Sequence, residues 1–297
     1  MSGAGFRVDR LGPCPQRNWD WRAAANFICG GAGSGLLLWA PFAFPAGGAV
    51  QGRAAIALAL VLVGFGLTCV WFEIGRPWRA LNVFRHAASS WMTREAVVAP
   101  LLFASGLLAL WNGSEGVALR AAGLLGLAFL YSQARMLAAD RGIPAWRHRR
   151  CLPMIVSTGL AEGAGLLTVV AASGAEDSAG HAPAALLLAA FALLRIVAWR
   201  RYLAALERDG APAGAIRALR AIDRGVVWLG GALAAALAVA GLAAGLPVVT
   251  AAGGVAAAAA GAWLKYTLVC RAAFTQGFAL PKLPVRGGAE GLAPGVR

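Results

Sequence analysis

Long apolar runs alternate with short polar connections along most of this sequence. Eight runs have about twenty residues, the length that an α-helix needs to cross a bilayer. They are residues 23–44, 54–72, 94–111, 117–136, 152–173, 182–199, 226–246 and 248–269. No segment shows the short alternation of apolar and polar residues that is typical of membrane β-barrels. The pattern therefore predicts an all-α integral membrane protein with eight transmembrane helices.

We expect these helices to form two four-helix bundles, residues 23–150 and 151–275, between an N-terminal segment and a C-terminal tail. The tail, residues 276–297, is rich in Gly and Pro and is expected to be irregular. Residues 207–224 have apolar positions at helical spacing with arginines between them. This pattern fits an amphipathic helix in the membrane interface, and it fits an extension of helix 7 equally well.

Composition and charge agree with a membrane protein and give it an orientation. The chain is 59% hydrophobic and only 13% charged, and its net charge is +14. The basic residues lie in alternate connections, and all of the 27 Lys and Arg residues except Arg53 and Arg120 are expected on one face. The positive-inside rule makes this face cytoplasmic, with both termini inside. Because residues 1–22 are polar, we expect no cleavable signal.

The connection between the second and third apolar runs has a carboxylate at each membrane border, Glu73 and Glu95. Ionisable groups at this depth are costly and indicate either chemistry or structural pairing. Arg76, Arg79 and Arg94 are available as ion partners, which would make the acids part of salt bridges that hold the loop. The alternative is a proton-handling pair beside a buried cofactor or quinone. The residues alone leave both interpretations open.

The start of helix 3 determines where Glu95 lies. We expect Thr93 to cap this helix, which places Glu95 in its first turn, where the helix dipole favours a carboxylate.

The histidines and cysteines do not suggest a metal centre in this chain. His86, His148 and His181 all lie in predicted loops, whereas a membrane haem needs axial ligands that project into the helix bundle. The five cysteines show no C-x-x-C spacing. We therefore expect no haem, no iron–sulfur cluster and no other metal site.

Other polar residues inside the spans have two interpretations each. Glu162 lies well inside helix 5, where it is either part of a proton path or a structural acid that is paired with another residue. Asn26 in helix 1 is able to bond a ligand carbonyl or another helix. Tyr131 and Arg135 share one face of helix 4, where Tyr131 also fits an interfacial aromatic belt. The small residues at 30–35 favour close helix packing, or a bare face for a flat ring.

Several short motifs together resemble a known family. They are Gly-Arg-Pro-Trp-Arg-Ala-Leu-Asn at 75–82, Ser-Trp-Met-Thr-Arg-Glu at 90–95, Ala-Arg at 134–135 and Pro-Ala-Trp at 144–146. In this order they resemble the membrane anchor subunit of dimethyl sulfoxide reductase-type enzymes, within the polysulfide reductase and NrfD-like superfamily. The motifs cover roughly the first 165 residues, and beyond them only the number of helices agrees.

The resemblance implies a haem-free subunit that passes electrons between membrane quinone, ubiquinone or menaquinone, and a four-cluster ferredoxin-like subunit. That partner exchanges electrons with a molybdopterin catalytic subunit, so the iron–sulfur clusters and molybdopterin would lie in the partner subunits. The expected catalytic proton carriers are Glu73 and Glu95, with Asn26, Arg76, Arg94, Tyr131 and Arg135 binding quinone. The expected docking residues are Arg79, Arg85, His86, Trp91, Trp146 and Arg147. Glu73 departs from the family, which often has histidine there.

The orientation narrows this expectation. If the motif loop is cytoplasmic, the catalytic partners lie on the cytoplasmic face of a bacterial inner membrane, which suits a coenzyme A thioester as substrate. The stretch Trp-Asp-Trp-Arg-Ala-Ala-Ala-Asn-Phe-Ile-Cys-Gly-Gly at 19–31 is also similar to the anchor of phenylacetyl-CoA:acceptor oxidoreductase. The alternative function is a small-solute or ion transporter, although no paired broken helices are evident.

Overall fold

The fold is all-helical across the residues that a computed structural model describes, which are 12–44, 50–73, 82–83, 90–111, 116–174 and 180–277. Eight helices in these ranges are long and apolar enough to span a membrane, which confirms the predicted class. They are α1 Trp21–Ala43, α2 Val50–Glu73, α3 Trp91–Trp111, α4 Val117–Ala139, α5 Cys151–Ala172, α6 His181–Arg208, α7 Ala213–Ala243 and α8 Pro247–Arg271.

The start of α7 decides between two interpretations, and the start of α3 differs from the prediction. Helix α7 begins at Ala213 and continues without a break into the apolar run, so residues 213–224 of the amphipathic stretch extend α7, whereas Glu207 and Arg208 end α6. Helix α3 begins at Trp91, and Ser90 Oγ accepts the Thr93 backbone N–H at 3.3 Å. The prediction of Thr93 as the cap is wrong, because its hydroxyl instead donates to the carbonyl oxygen of Val83. Glu95 consequently lies one turn further into the helix.

Helices α1 and α5 form the centre of the molecule, and each is 78% buried over its most apolar window. Helix α1 packs against α2, α4 and α5, and α5 packs against α1, α6 and α8. Helix α3 packs mainly on α4, and α7 packs on α6 and α8. The first four and last four helices therefore meet along the α1–α5 contact.

Glycines allow this central contact. A Cβ atom added at Gly163 of α5 would lie only 2.1 Å from the carbonyl carbon of Gly35 in α1. On the other side of α5, a Cβ atom at Gly165 would lie 2.5 Å from the carbonyl oxygen of Gly254 in α8. Small residues let membrane helices approach until their backbones touch. The small residues of α1 thus have the packing role that was one of their two interpretations.

The segment before α1 is tied to the segment that follows α8. The Gln16 backbone N–H donates to the Ala273 carbonyl at 2.8 Å, and the Thr275 N–H donates to the Cys14 carbonyl at 2.8 Å. Trp19 stacks on Trp146 with ring centroids 4.9 Å apart. These contacts join the start of α1, the end of α8 and the α4–α5 connection into one surface.

Two basic residues lie inside the helix assembly and not in loops. Arg195 of α6 and Lys265 of α8 are both 0% exposed. The expectation that such residues lie in basic loops of one face is therefore wrong for these two. Arg195 donates to the carbonyl oxygens of Ala257, at 2.7 Å, and Gly230. Buried charges at membrane depth need partners of this kind.

Candidate functional site

Three polar side chains from three helices meet beside the N-terminal half of α1. Asn26 of α1 and Gln133 of α4 both donate to Glu95 Oε1 of α3, from Nδ2 at 3.3 Å and from Nε2 at 3.2 Å. All three residues are buried, at 3%, 0% and 4% exposure for Asn26, Gln133 and Glu95. A carboxylate held by two neutral amides is able to take up and release a proton without breaking an ion pair. We call Asn26, Glu95 and Gln133 the carboxylate cluster.

The backbone of α1 is irregular where it contacts this cluster. Residues Asn26–Gly30 form a π-helical turn, a feature often found at functional sites. Gln133 Nε2 donates to the Asn26 carbonyl at 3.0 Å, so the same amide also satisfies a backbone acceptor. Gly30 gives this amide its space, because a Cβ atom there would lie 2.5 Å from Nε2. The absence of a side chain at Gly30 therefore lets Gln133 pack against α1.

An aromatic and cationic group adjoins the carboxylate cluster. Trp91 lies one helical turn before Glu95, and its ring is contacted by two guanidinium groups. The Cζ atoms of Arg94 and Arg135 lie 4.1 and 4.7 Å from the ring centroid. Tyr131 meets the same ring edge-on, with centroids 5.7 Å apart. We call Trp91, Arg94, Tyr131 and Arg135 the Trp91 group.

The structure thus brings most of the predicted quinone residues into one region. Asn26 and Glu95 lie in the carboxylate cluster, and Tyr131, Arg94 and Arg135 lie in the Trp91 group. Trp91, expected to dock a partner, is half-buried among them. Gln133 was missed in the sequence, although it lies between two of the chosen positions on α4.

Glu73 lies in a different environment. It is the last residue of α2, half-buried, and its described charged neighbours are Asp20 and Arg22 at the start of α1. Arg22 forms a 2.9 Å ion pair with Asp20 and donates to the Phe72 carbonyl at 2.8 Å. The Arg22 side chain lowers the pKa of the Asp20 carboxyl through this hydrogen bond. No hydrogen bond among the described residues joins Glu73 to Glu95.

The predicted docking residues divide into three groups. Arg79, Arg85 and His86 lie outside the described residues, as does Arg76, which was predicted to bind quinone. Trp146 is only 2% exposed, and its indole N–H donates to the Leu268 carbonyl at 3.0 Å. Its side chain therefore packs beneath the surface and is not available to a partner, whereas the neighbouring Arg147 is exposed.

A second buried acid lies on the other side of α1. Glu162 of α5 and Lys265 of α8 form an ion pair with Oε2 and Nζ 2.5 Å apart, at 1% and 0% side-chain exposure. Lys265 Nζ packs against Gly31, the residue that follows the π-helical turn, where a Cβ atom would lie 2.3 Å away. Arg195 adds to the positive potential at Glu162. Sequence analysis placed Lys265 with the loop charges and so missed this pair.

Comparison with known families agrees with the geometry. The family model described as DMSO reductase anchor subunit (DmsC) matches residues 48–199, just over half of the chain. No match was found among curated proteins. The matched part includes α2 to α5 and most of α6, with Glu95, Gln133 and the whole Trp91 group. The chain therefore belongs to the DMSO reductase anchor subunit (DmsC) family, membrane subunits of molybdenum oxidoreductases that work with molybdopterin and iron–sulfur partner subunits.

Proposed function

We propose that this anchor subunit is the quinone-reactive part of its complex and exchanges electrons between a ferredoxin-like partner and membrane quinone. The observation that carries the proposal is Glu95, a buried carboxylate held by two amides beside the Trp91 group. Quinone reduction consumes two electrons and two protons, so the site needs a proton donor near the ring oxygens. A buried carboxyl is suited to this task because it takes up and releases a proton at a fixed position beside the quinone.

Each residue of the region has a role in this proposal. Glu95 transfers a proton to or from a quinone oxygen, and Asn26 and Gln133 hold its carboxylate in place. Arg94 or Arg135 orients a quinone oxygen, and the rings of Trp91 and Tyr131 provide flat apolar surfaces. Arg76, outside the described residues, stays a further candidate for quinone binding.

Glu73 is proposed as a proton carrier nearer the membrane surface. It ends α2 and is half-buried, with one carboxylate oxygen buried and without a hydrogen-bond partner. Such an oxygen is available to accept a proton, and we propose the end of α2 as the point where protons enter from the aqueous side.

The partner subunits are proposed to dock on the basic inner face, which we take as the cytoplasmic face of a bacterial inner membrane. Exposed arginines such as Arg147 and Arg149 lie on this face beside the paired chain ends. Electrons would enter from an iron–sulfur cluster of the partner, with no haem in this chain. A cytoplasmic catalytic subunit suits an acyl-CoA substrate such as phenylacetyl-CoA, as the motif at 19–31 suggests.

Glu162 was the remaining candidate for a proton path, and its surroundings favour a structural role. Its ion pair with Lys265 stabilises the charged carboxylate, which opposes protonation during turnover. We therefore propose that Glu95 carries the protons and that Glu162 holds α5 to α8.

The test is quinone reduction by the purified complex with Glu95→Gln. Quinone turnover with the natural substrate should fall about 100-fold, the typical effect of losing a general acid or base. Dye reduction by the soluble subunits should stay unchanged, and Glu95→Asp should restore part of the turnover. The control is Glu207→Gln, which removes a surface acid paired with Arg220. Equal loss of the quinone and dye activities, or full quinone activity, contradicts the role of Glu95.

A further inference from the structure

A groove of about 420 Å³ runs along the membrane-facing surface between α4, α5 and α6. Its walls are mainly apolar, and it has two arginines at its inner end. Representative lining residues are Tyr131, Arg150, Val156, Leu160, Leu194 and Arg201. Tyr131 is shared with the Trp91 group, but the other residues belong to no part of the site described above.

The two arginines have no anionic partner within the part of the chain that the structure describes. Arg150 directly precedes α5, and its Nε is buried without a hydrogen-bond acceptor. Arg201 lies in the last third of α6 and is exposed, with no ion pair among the described residues. The adjacent Arg200, in contrast, pairs with Asp223 at 3.1 Å. The inner end of the groove thus has a net positive charge and unused hydrogen-bond donors.

The length of the groove fits a hydrocarbon chain. From Arg150 to Leu160 the wall follows ten residues of α5, a rise of about 15 Å at 1.5 Å per residue. This distance equals about half of a hydrocarbon core of roughly 30 Å, the depth of one leaflet. A ligand with an anionic head and a chain of that length would fill the groove and satisfy both guanidinium groups.

We propose that this groove binds one anionic phospholipid, with its phosphate between Arg150 and Arg201 and an acyl chain along Val156, Leu160 and Leu194. Guanidinium groups bind phosphate through charge-assisted, often paired, hydrogen bonds. Basic pockets between transmembrane helices on the cytoplasmic side are suited to such headgroups. The lipid would border Tyr131 and so cover the membrane side of the Trp91 group. The proposal does not depend on quinone chemistry.

The test measures lipid binding to the full-length protein purified in detergent and stripped of lipid. The probes are phosphatidylglycerol and phosphatidylcholine with the same acyl chains, followed by native mass spectrometry and by thermal stabilisation. We expect the wild type to bind phosphatidylglycerol more tightly. Arg150→Gln/Arg201→Gln should weaken that binding about 30-fold, since each arginine contributes roughly 1 kcal/mol near an anionic headgroup. Phosphatidylcholine binding should change little.

A matched control separates the groove from general charge attraction. Arg149→Gln/Arg217→Gln removes the same charge from exposed positions that do not line the groove, and should retain the lipid preference. Val197→Trp fills the groove without changing charge and should also weaken lipid binding. Equal losses in groove and control variants would overturn the proposal. A wild type with no preference for phosphatidylglycerol, or a short-chain quinone that displaces the lipid from the groove, would overturn it as well.

Discussion

The Glu162–Lys265 ion pair allows a direct test of what buried charges contribute to this membrane protein. Glu162→Gln leaves the Lys265 ammonium at 0% exposure without its carboxylate partner, and Lys265→Met leaves the carboxylate without its ammonium partner. Breaking a buried ion pair by removing one partner typically costs about 3–5 kcal/mol, because the remaining charge is uncompensated. Replacing both partners with apolar or neutral groups is often close to neutral.

The expected result is therefore strong coupling between the two positions. Each single variant should lose about 3–5 kcal/mol of unfolding free energy, and Glu162→Gln/Lys265→Met should recover most of that loss. The pair Glu207–Arg220 is a matched control, since its atoms are 2.6 Å apart but its side chains are 29% and 63% exposed. Breaking that pair should cost about 0–1 kcal/mol.

The measurement is unfolding of the purified protein by a denaturing detergent, followed through tryptophan fluorescence or helix content. Additive losses, with the double variant as unstable as the sum of the singles, would refute the pairing argument. Losses below about 1 kcal/mol in both single variants would show that water or lipid headgroups reach the site. Quinone turnover of a stable double variant separates the two interpretations of Glu162. Retained turnover supports the structural role, and a loss confined to quinone activity supports a proton path.

Two further predictions concern helix packing and pH. Gly163→Ala should destabilise the protein by about 1–3 kcal/mol, because its Cβ would lie 2.1 Å from the carbonyl carbon of Gly35. The control is Gly64→Ala, whose Cβ would have its nearest contact at 3.4 Å. It should cost little unfolding free energy in the same detergent titration. The hydrogen bond from His148 lowers the pKa of Asp209 below its ordinary value of 3.8. The resulting stabilisation is present above 3.8 and is lost as the pH falls through the lower folded-state pKa. Acidification through that range should lower the melting temperature of the wild type more than that of Asp209→Asn, and identical pH profiles would show that the contact contributes nothing.

The number and type of helices could be predicted from the sequence because length and apolarity alone determine which segments cross a bilayer. The depth of single polar residues could not. Lys265 lies within the predicted span 248–269 but was counted with the basic residues of the connections, yet it points into the helix assembly opposite Glu162. Its position depends on Gly31, a residue more than 200 positions away in the sequence, which leaves space for the ammonium group.

The candidate site was predicted in part for the same reason. Glu95, Asn26 and Tyr131 were chosen for their residue types and their positions near helix ends. Gln133 was not, because a single amide in an apolar run has no distinctive spacing. The π-helical turn at Asn26–Gly30 also has no sequence signal that we recognise. Both features arise from packing between α1, α3 and α4, which local patterns do not contain.

The pairing of the segment before α1 with the segment after α8 has a consequence for biosynthesis. Cys14 and Thr275 lie 261 positions apart, yet their main chains bond to each other on the surface that also holds Trp19 over Trp146. A chain that leaves the ribosome from its N-terminus is unable to complete this surface until the last helix has entered the membrane. A soluble partner that recognises the finished surface would therefore bind anchors in which α8 is in place and leave shorter ones free for degradation. The order of assembly of the complex would then follow from the fold itself, without a separate checkpoint.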